Sequence, residues 1–592
     1  MPNKYLVSAL TLVLAAALAT AAGRPNVLLI MTDDQGWGDI TSHGNPQIET
    51  PVIDSIAAAG ARFDRFYVSP VCAPTRASLL TGRYNLRAGV SGVTRGYENM
   101  RSSEVTIAEA LRAAGYRTGA FGKWHNGRHY PTHPNGQGFD EFFGFCGGHW
   151  QQYFDTELER NGEPVRTSGY ITDVLTDAAL GFIRAHDGRP WFCYVPYNAP
   201  HSPWEVPDKY WNKYGGRGLD ERTRCAYAMV EAVDENIGRL LEALDKLGLA
   251  EETIVFFLTD NGPNGQRYNG GMRGTKGSVH EGGIRVPLFV RWPGRIEPGT
   301  VVEPIAAHID LFPTILEMTG AARPDGPPLD GRSLWPLLQG KTAGWPERMI
   351  FTDRIVNADL SSPRGSVRTQ QWRAVRESGR WSLFDMIADP GQGADVAAQH
   401  PAELARLRRA FDDWLRDATS AGLDYIPIPI GHPQRPWTEL PASEAFLKPA
   451  PGEGIDYNGR AGYANTWILN WTSTGAYPQW EVEVLSPGDY DVTVMYNCPA
   501  ADTGTEFRLA IGGQSVKGKI ERAFYPDYEP NNDRVPSDDS HYEQKDWAPL
   551  RLGTLRLAPG RATLTIKPIS KPGKQVMELK ALRVEKAVGN TR

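Results

Sequence analysis

The chain has 592 residues, 41% of them hydrophobic and 10% aromatic, with a formal net charge of −6. That length predicts two or three domains, and the apolar content excludes disorder over most of the chain. A mildly acidic chain without basic blocks excludes nucleic acid as a partner and gives no reason to expect an anionic membrane.

The first residues read MPNKYLVSALTLVLAAALATAAG. One lysine precedes an apolar run that ends in small residues, with Ala19-Thr20-Ala21 fitting a cleavage site. This predicts a signal peptide over 1–22 and an exported protein, periplasmic or extracellular, with no membrane attachment once the peptide is removed. Over 23–345 short apolar runs alternate with helical patterns. Val27–Met31 reads as a buried parallel strand, and Thr118–Phe121, Trp191–Val195, Ile254–Leu258 and Val286–Val290 are comparable. The clearest helix covers Asp220 to Leu247, with Ala226, Val230, Val233, Ile237, Leu240, Leu244 and Leu247 at helical spacing. The fold class expected is α/β, a doubly wound and mostly parallel sheet.

Residues 346–425 carry strand-like pieces (MIFTD, WRAVRE, RWSLFDM) and a helix from about Pro401, with Leu404, Leu407, Phe411 and Leu415 inward. They predict a small antiparallel sheet with a covering helix. Residues 426–452, punctuated by proline (IPIPIGHPQRPW), read as a linker. From 453 to 592 strands alternate in period two, and LGTLRLAPGRATLTIKP reads as a hairpin. An all-β sandwich of the jelly-roll sort is expected there.

Polar residues follow four predicted strands: Asp33 and Asp34; Lys123 and His125; Asn198 and His201; Asp260 and Asn261. In an open α/β sheet the ligand crevice lies at the carboxyl ends of the strands, so these sets are expected to meet. Asp33, Asp34, Asp260 and Asn261 offer three carboxylates and an amide oxygen, hard donors that suit Ca²⁺ or Mg²⁺ rather than zinc. The five cysteines, Cys72, Cys146, Cys193, Cys225 and Cys498, are odd in number and lack metal-type spacing, so one of them invites a special role.

That one is Cys72, in VCAPTRASLLTGR. Cys72, Pro74 and Arg76, followed by Leu80-Thr81-Gly82, resemble the signature of the formylglycine-dependent type I sulfatases of the alkaline phosphatase superfamily. The resemblance continues through NVLLIMTDDQGWGD, FGKWHNG, GFDEFFGF, NAPHSPW, TDNG, KGSVHEGGIRVP and HIDLFPTILEMTG, over about residues 25–420. It implies that Cys72 is oxidised to formylglycine by a maturation enzyme during export, and that Cys72 joins the metal set on Ca²⁺, ahead of Mg²⁺. The hydrated aldehyde would attack sulfur with one hydroxyl and expel sulfate through the other. Arg76 would then hold the formylglycine oxygens, Lys123 and Lys276 would grip sulfate, and His125 would take the proton that triggers collapse. His201, with Lys276, would protonate the leaving oxygen.

Specificity is thinly written. His149, Trp150 and Arg267 flank the motifs and are candidates for substrate contact, with Tyr153 and Trp204 as further aromatic neighbours. The sandwich is similar in pattern to carbohydrate-binding modules, with Trp467, Trp471, Tyr477 and Trp480 available to stack sugars; its rival role is to wall the catalytic pocket. The function expected is hydrolysis of sulfate esters of a carbohydrate, from a sulfated polysaccharide or its oligosaccharides. Two rivals stand beside it: a phosphodiesterase or phosphonate monoester hydrolase on the same scaffold, and a non-catalytic carbohydrate-binding protein with a relic sulfatase domain.

Overall fold

The computed structural model describes residues 23–463, 465–536 and 543–587, so the expected leader at 1–22 lies outside the described residues. The strand Asn26–Thr32 is buried along its whole length. Its period-two alternation sends Leu28 and Ile30 into one apolar core and Val27, Leu29 and Met31 into another. Burial on both faces is why the strand reads as an unbroken apolar run.

Five strands run parallel in the order Thr253–Thr259, Asn26–Thr32, Trp191–Pro196, Arg117–Lys123 and Glu141–Phe145. Helices Ile171–Arg184 and Glu221–Lys246 cover one face; Cys72–Thr81, Ile107–Ala113 and Leu311–Thr319 cover the other. The expected doubly wound architecture is therefore present. The long helix opens on Asp220, whose side chain accepts from Thr223 N–H and satisfies one of the free amides of the first turn.

Further strands, antiparallel to their neighbours except for Thr300–Val302 beside Ala61–Phe63, extend the sheet to ten among the described residues. Val286–Val290, expected as one parallel strand, is split at Pro287. Arg285–Val286 joins a separate three-stranded sheet, and Leu288–Arg291 runs antiparallel to Thr253–Thr259. Proline has no N–H for the ladder and ends the first pairing there. At the other edge the hairpin Glu157–Arg160 and Glu163–Arg166 is mostly exposed and charged, so no apolar alternation announced it.

The small subdomain has four antiparallel strands, Ile350–Asp353, Gly365–Arg368, Trp372–Glu377 and Arg380–Asp385, beneath the helix Pro401–Ala418. It is tied to the main domain by Glu281, which is almost fully buried. Arg373 Nη2 lies 2.5 Å from Glu281 Oε2, Tyr67 O–H donates to Oε1 at 2.9 Å, and Arg285 and Arg368 stand at 3.7 and 3.9 Å. Removing one partner of a buried ion pair leaves an uncompensated charge. Glu281→Ala is therefore expected to lower the free energy of unfolding in urea by about 3–5 kcal/mol; an unchanged denaturation curve would remove the network from the account.

The C-terminal region is a sandwich of two six-stranded sheets, packed around Trp471, Trp480, Tyr490, Phe507 and Leu582. The expected linker at 426–452 is instead part of it. Ile428–Ile430 and Phe446–Lys448 pair with Tyr477–Val484, and Trp437–Pro441 pairs with Glu578–Lys586. Ile428 and Ile430 point inward while Pro429 faces out on an edge strand, where its missing N–H costs no ladder bond. The expected hairpin over 552–568 is also corrected. Ala548–Leu557 pairs with Gly488–Asn497 in one sheet, and Gly560–Ser570 pairs with Tyr477–Val484 in the other. The short turn thus crosses between sheets, which an alternation pattern alone does not distinguish from a hairpin.

The sandwich is fixed to the α/β domain. Arg534 donates through its backbone N–H to Trp204 O at 2.7 Å and through Nε to Val206 O at 3.0 Å. Arg95 Nη2 donates to Tyr457 O–H at 3.1 Å, and Arg128 and His129 each lie 3.4 Å from Glu444.

Candidate active site

The carboxyl ends of the central strands bring the polar sets together because neighbouring parallel strands end at one edge. Asp33 N–H donates to Ala199 O and Asp260 N–H to Thr32 O, both at 3.1 Å. Asp34 N–H donates to Asp260 Oδ1 at 3.1 Å, and Asn261 Nδ2 donates to Asp34 Oδ1 at 2.8 Å. Cys72 is the first residue of the helix Cys72–Thr81, whose N-terminus points at this cluster's side of the sheet and favours negative charge. One ligand atom from each of Asp33, Asp34, Cys72 and His201 lies within 4.8 Å of the others.

Three cations and a histidine surround the carboxylates. Arg76, fully buried one turn into the helix, donates to Asp260 Oδ2 through Nε at 3.2 Å and Nη2 at 2.9 Å, and to Lys123 O at 2.9 Å. Lys123 Nζ lies 2.5 Å from Asp33 Oδ2. Lys276 Nζ is 2.8 Å from both oxygens of Asp34. His201 Nε2 stands 3.6 Å from Asp34 Oδ2.

Burial opposes the ionisation of Asp34, yet the Lys276 ammonium, helped by the hydrogen bond from Asn261, outweighs it and holds this carboxyl well below the usual carboxylate range. Asp260 behaves oppositely: burial and the adjacent Asp33 push it up to about 7 in spite of Arg76. Burial pushes the Cys72 thiol up to about 12, against the pull of Lys123 and Lys276, so an unmodified Cys72 carries no thiolate near neutral pH. Burial also disfavours the charged form of Lys276, but Asp34 overrides it and keeps the ammonium protonated.

Both histidines are held neutral. Burial, then Lys123, keep His125 well below its ordinary value, and burial with Lys276 lowers His201 to about 3. His125 Nε2–H donates to Val93 O at 2.8 Å, which leaves Nδ1 a bare acceptor with no partner among the described residues. His201 Nδ1–H donates to Ser202 O at 2.6 Å, so its single proton is committed there.

The donor set fits a divalent cation. Asp33 Oδ1 and Asn261 Oδ1 are buried oxygens with no hydrogen-bond donor, and buried acceptors are seldom left so. Three carboxylates crowded with two such orphans form the hard-oxygen environment that Ca²⁺ or Mg²⁺ takes.

Above the cluster lies a cavity of about 180 Å³ lined by Cys72, His125, His201, Lys276 and Arg354, and by Glu444 and Tyr463 of the sandwich.

The sulfatase family model matches residues 25–321, and that of the N-sulphoglucosamine sulphohydrolase C-terminal region matches 275–417. The chain belongs to the sulfatase family. N-acetylgalactosamine-6-sulfatase of Canis lupus familiaris is 35% identical to this sulfatase over 439 residues, covering 67% of this chain and 81% of that protein. Arylsulfatase A of Homo sapiens is 36% identical over 454 residues, covering 68% and 84%. Among solved structures, that of Ps i-CgsB has a TM-score of 0.62 at 32% identity, covering 66% of this chain and 92% of its own. It has also been solved with k-i-k-neocarrahexaose. The phosphonate monoester hydrolase of Agrobacterium radiobacter, at 21% identity and TM-score 0.51, shares the fold.

The sulfatase places several sequence candidates elsewhere than expected. Arg267 does not reach the cavity. It donates to both Asp39 carboxylate oxygens and to Asp34 O at 2.9 Å, so it braces the Asp33–Asp34 loop. Trp150 stacks on Phe145 and donates to Thr156 Oγ1, and its edge lines a neighbouring cavity rather than the one above Cys72. Tyr153 is wholly buried and its O–H donates to His201 O at 2.9 Å, which carries the His201 loop. Lys123 is fully buried behind Asp33, where it neutralises that carboxylate; the lysine at the cavity wall is Lys276. His149 does line the cavity, its ring 4.9 Å from that of Tyr463.

In the sandwich, Trp467, Trp471 and Trp480 are wholly buried, and the indoles of the last two donate to Ala476 O and Pro441 O. They are core residues and offer no open sugar platform. Missed by sequence reasoning were Arg128, which directly follows FGKWHNG, and Arg354, Glu444 and Tyr463, supplied to the cavity from segments without a motif.

Proposed function

We propose that this enzyme removes sulfate from a sulfated carbohydrate, through a formylglycine made from Cys72 and a divalent cation, Ca²⁺ ahead of Mg²⁺. The observation that carries the reading is the convergence of four chain segments on two buried orphan oxygens beneath a cavity that holds Cys72 and Lys276. Asp33, Asp34, Asp260 and Asn261 would hold the cation, which when bound supplies a Lewis acid for a sulfate oxygen and for an attacking hydroxyl. A hydrated formylglycine would supply two hydroxyls on one carbon, a nucleophile for sulfur and a second O–H whose proton can be lost.

This chain's own residues do the rest. Lys276 binds sulfate oxygen and, being protonated, can pass a proton to the departing sugar oxygen. His201, with its proton committed to Ser202 O, has none to offer at Nε2 while neutral, so the proton donor the geometry favours is Lys276. His125 Nδ1, the bare acceptor, can take the proton whose loss frees sulfate. The leader-like sequence at 1–22 supports export to the periplasm or the extracellular space. No helix among the described residues is long and apolar enough to cross a membrane.

The test joins two measurements on protein produced together with a formylglycine-generating enzyme. Mass spectrometry of the peptide around Cys72 should show the aldehyde, and the same preparation should release sulfate from an aryl sulfate and from sulfated oligosaccharides. Unmodified thiol throughout, with glycan binding but no hydrolysis, would favour the relic reading. Aldehyde with turnover of phosphodiesters alone would favour a phosphoester hydrolase.

A further inference from the structure

A second cavity, of about 270 Å³, lies at the joint between the edge hairpin of the main sheet and the sandwich. It shares Arg128 and Cys146 with the cavity above Cys72, so the two are adjoining spaces divided by the same side chains. Together they reach the range of sites that enclose a small ligand, ~300–1,000 Å³.

The charges lining the second cavity are matched, with one exception. Glu159 is met by His133 at 2.9 Å, Glu157 by Arg166 and Glu439 by Arg128, both at 3.9 Å, and Arg583 by Glu585 at 3.2 Å. Arg435 has no ion pair among the described residues. It donates to Gly162 O at 2.9 Å, and its guanidinium lies 4.2 Å from the centre of the Trp437 ring, which orients it; its charge is felt by Glu159 on the same wall, but that carboxylate is already held by His133. The cavity above Cys72 holds a comparable group. Arg354 makes no ion pair there, donates only to Ile355 O at 3.3 Å, and has a buried Nε without a partner. A planar guanidinium left unpaired at a cavity wall is suited to a carboxylate or sulfate.

We propose that the second cavity is a subsite for the neighbouring sugar of the substrate, and that Arg435, braced by Trp437, binds an anionic group on that sugar. This rests on the sulfatase reading above and narrows the substrate to an oligosaccharide with at least two anionic units. The sandwich then acts as the far wall of the substrate site, since Arg435, Trp437 and Glu439 all belong to it.

The experiment compares an aryl sulfate, which is too short to enter the second cavity, with sulfated mono-, di- and tetrasaccharides from chondroitin, heparan and carrageenan. The matured wild-type enzyme should favour the best oligosaccharide over its monosaccharide by about tenfold or more in kcat/KM. Arg435→Ala should remove that preference, chiefly through KM, and leave aryl sulfate turnover unchanged; Arg435→Lys should recover part of it. Trp437→Ala should act in the same direction. A wild type without length preference, or Arg435→Ala that keeps it, would overturn the subsite. Failure of the sulfatase reading looks different, with no sulfate from any substrate. Calorimetric titration of the same tetrasaccharides then judges the cavity alone, supporting it if Arg435→Ala abolishes the heat and overturning it if wild type gives none.

Discussion

Cys72→Ala is expected to lower sulfate release by on the order of 10⁴-fold or more, the scale seen when a covalent nucleophile is removed, with little change in melting temperature. The side chain is 3% exposed and sits at the first position of a fully buried helix. Loss of the polar end of one small side chain there costs about 1 kcal/mol, and alanine is a good helix former. Activity and stability should therefore separate cleanly. Protein made without the maturation enzyme should be nearly as inactive, because burial holds the thiol protonated. Undiminished sulfate release from Cys72→Ala would remove the nucleophile from the account, and with it most of what the helix N-terminus is arranged to do.

Stripping divalent ions with a chelator should abolish turnover and lower the melting temperature by a few degrees, both restored by Ca²⁺ and less fully by Mg²⁺. The structural reason is the crowding of Asp33, Asp34 and Asp260, with Asp33 Oδ1 and Asn261 Oδ1 lacking any donor. A ligand that binds the folded state alone stabilises it by about 2.7 kcal/mol at a hundredfold excess over its Kd. In a chain of this size each kcal/mol moves the melting temperature by about 2–4 °C or less. Lys123, Lys276 and Arg76 already neutralise part of the cluster, so the stripped protein should remain folded. Full activity in chelator, on protein shown by elemental analysis to be metal-free, would rule out the metal.

The catalytic half was legible because its signals are local. A strand buried on both faces must be an apolar run, and the residue after it must lie at the sheet's edge, so Asp33, Lys123, His201 and Asp260 could be placed from spacing alone. Where the prediction failed, the deciding contact was remote. Arg267 looked like a substrate ligand, but its partner is Asp39, 228 residues away in the chain. Pro-rich 426–452 looked like a linker because proline cannot serve a central strand, while its actual places are strand edges whose pairing partners lie far downstream. Trp471 and Trp480 have the composition of a sugar platform, and only packing reveals that both face inward. The outer wall of the active cavity, Glu444 and Tyr463, had no signal at all, since nothing in those short segments says which domain they lean on.

The pairing of Trp437–Pro441 with Glu578–Lys586 has a consequence for biosynthesis. The segment that carries Arg435, Trp437 and Glu444 acquires its ladder partner only after residues 578–586 have left the ribosome. A premature stop before residue 578 would leave Asp33, Cys72 and Lys276 all encoded, yet the enclosure over them would lack its outer flank. Distant pairings of this kind close slowly, so the nascent chain can join the strands that carry Asp33 and Asp260 before it closes the wall that carries Glu444.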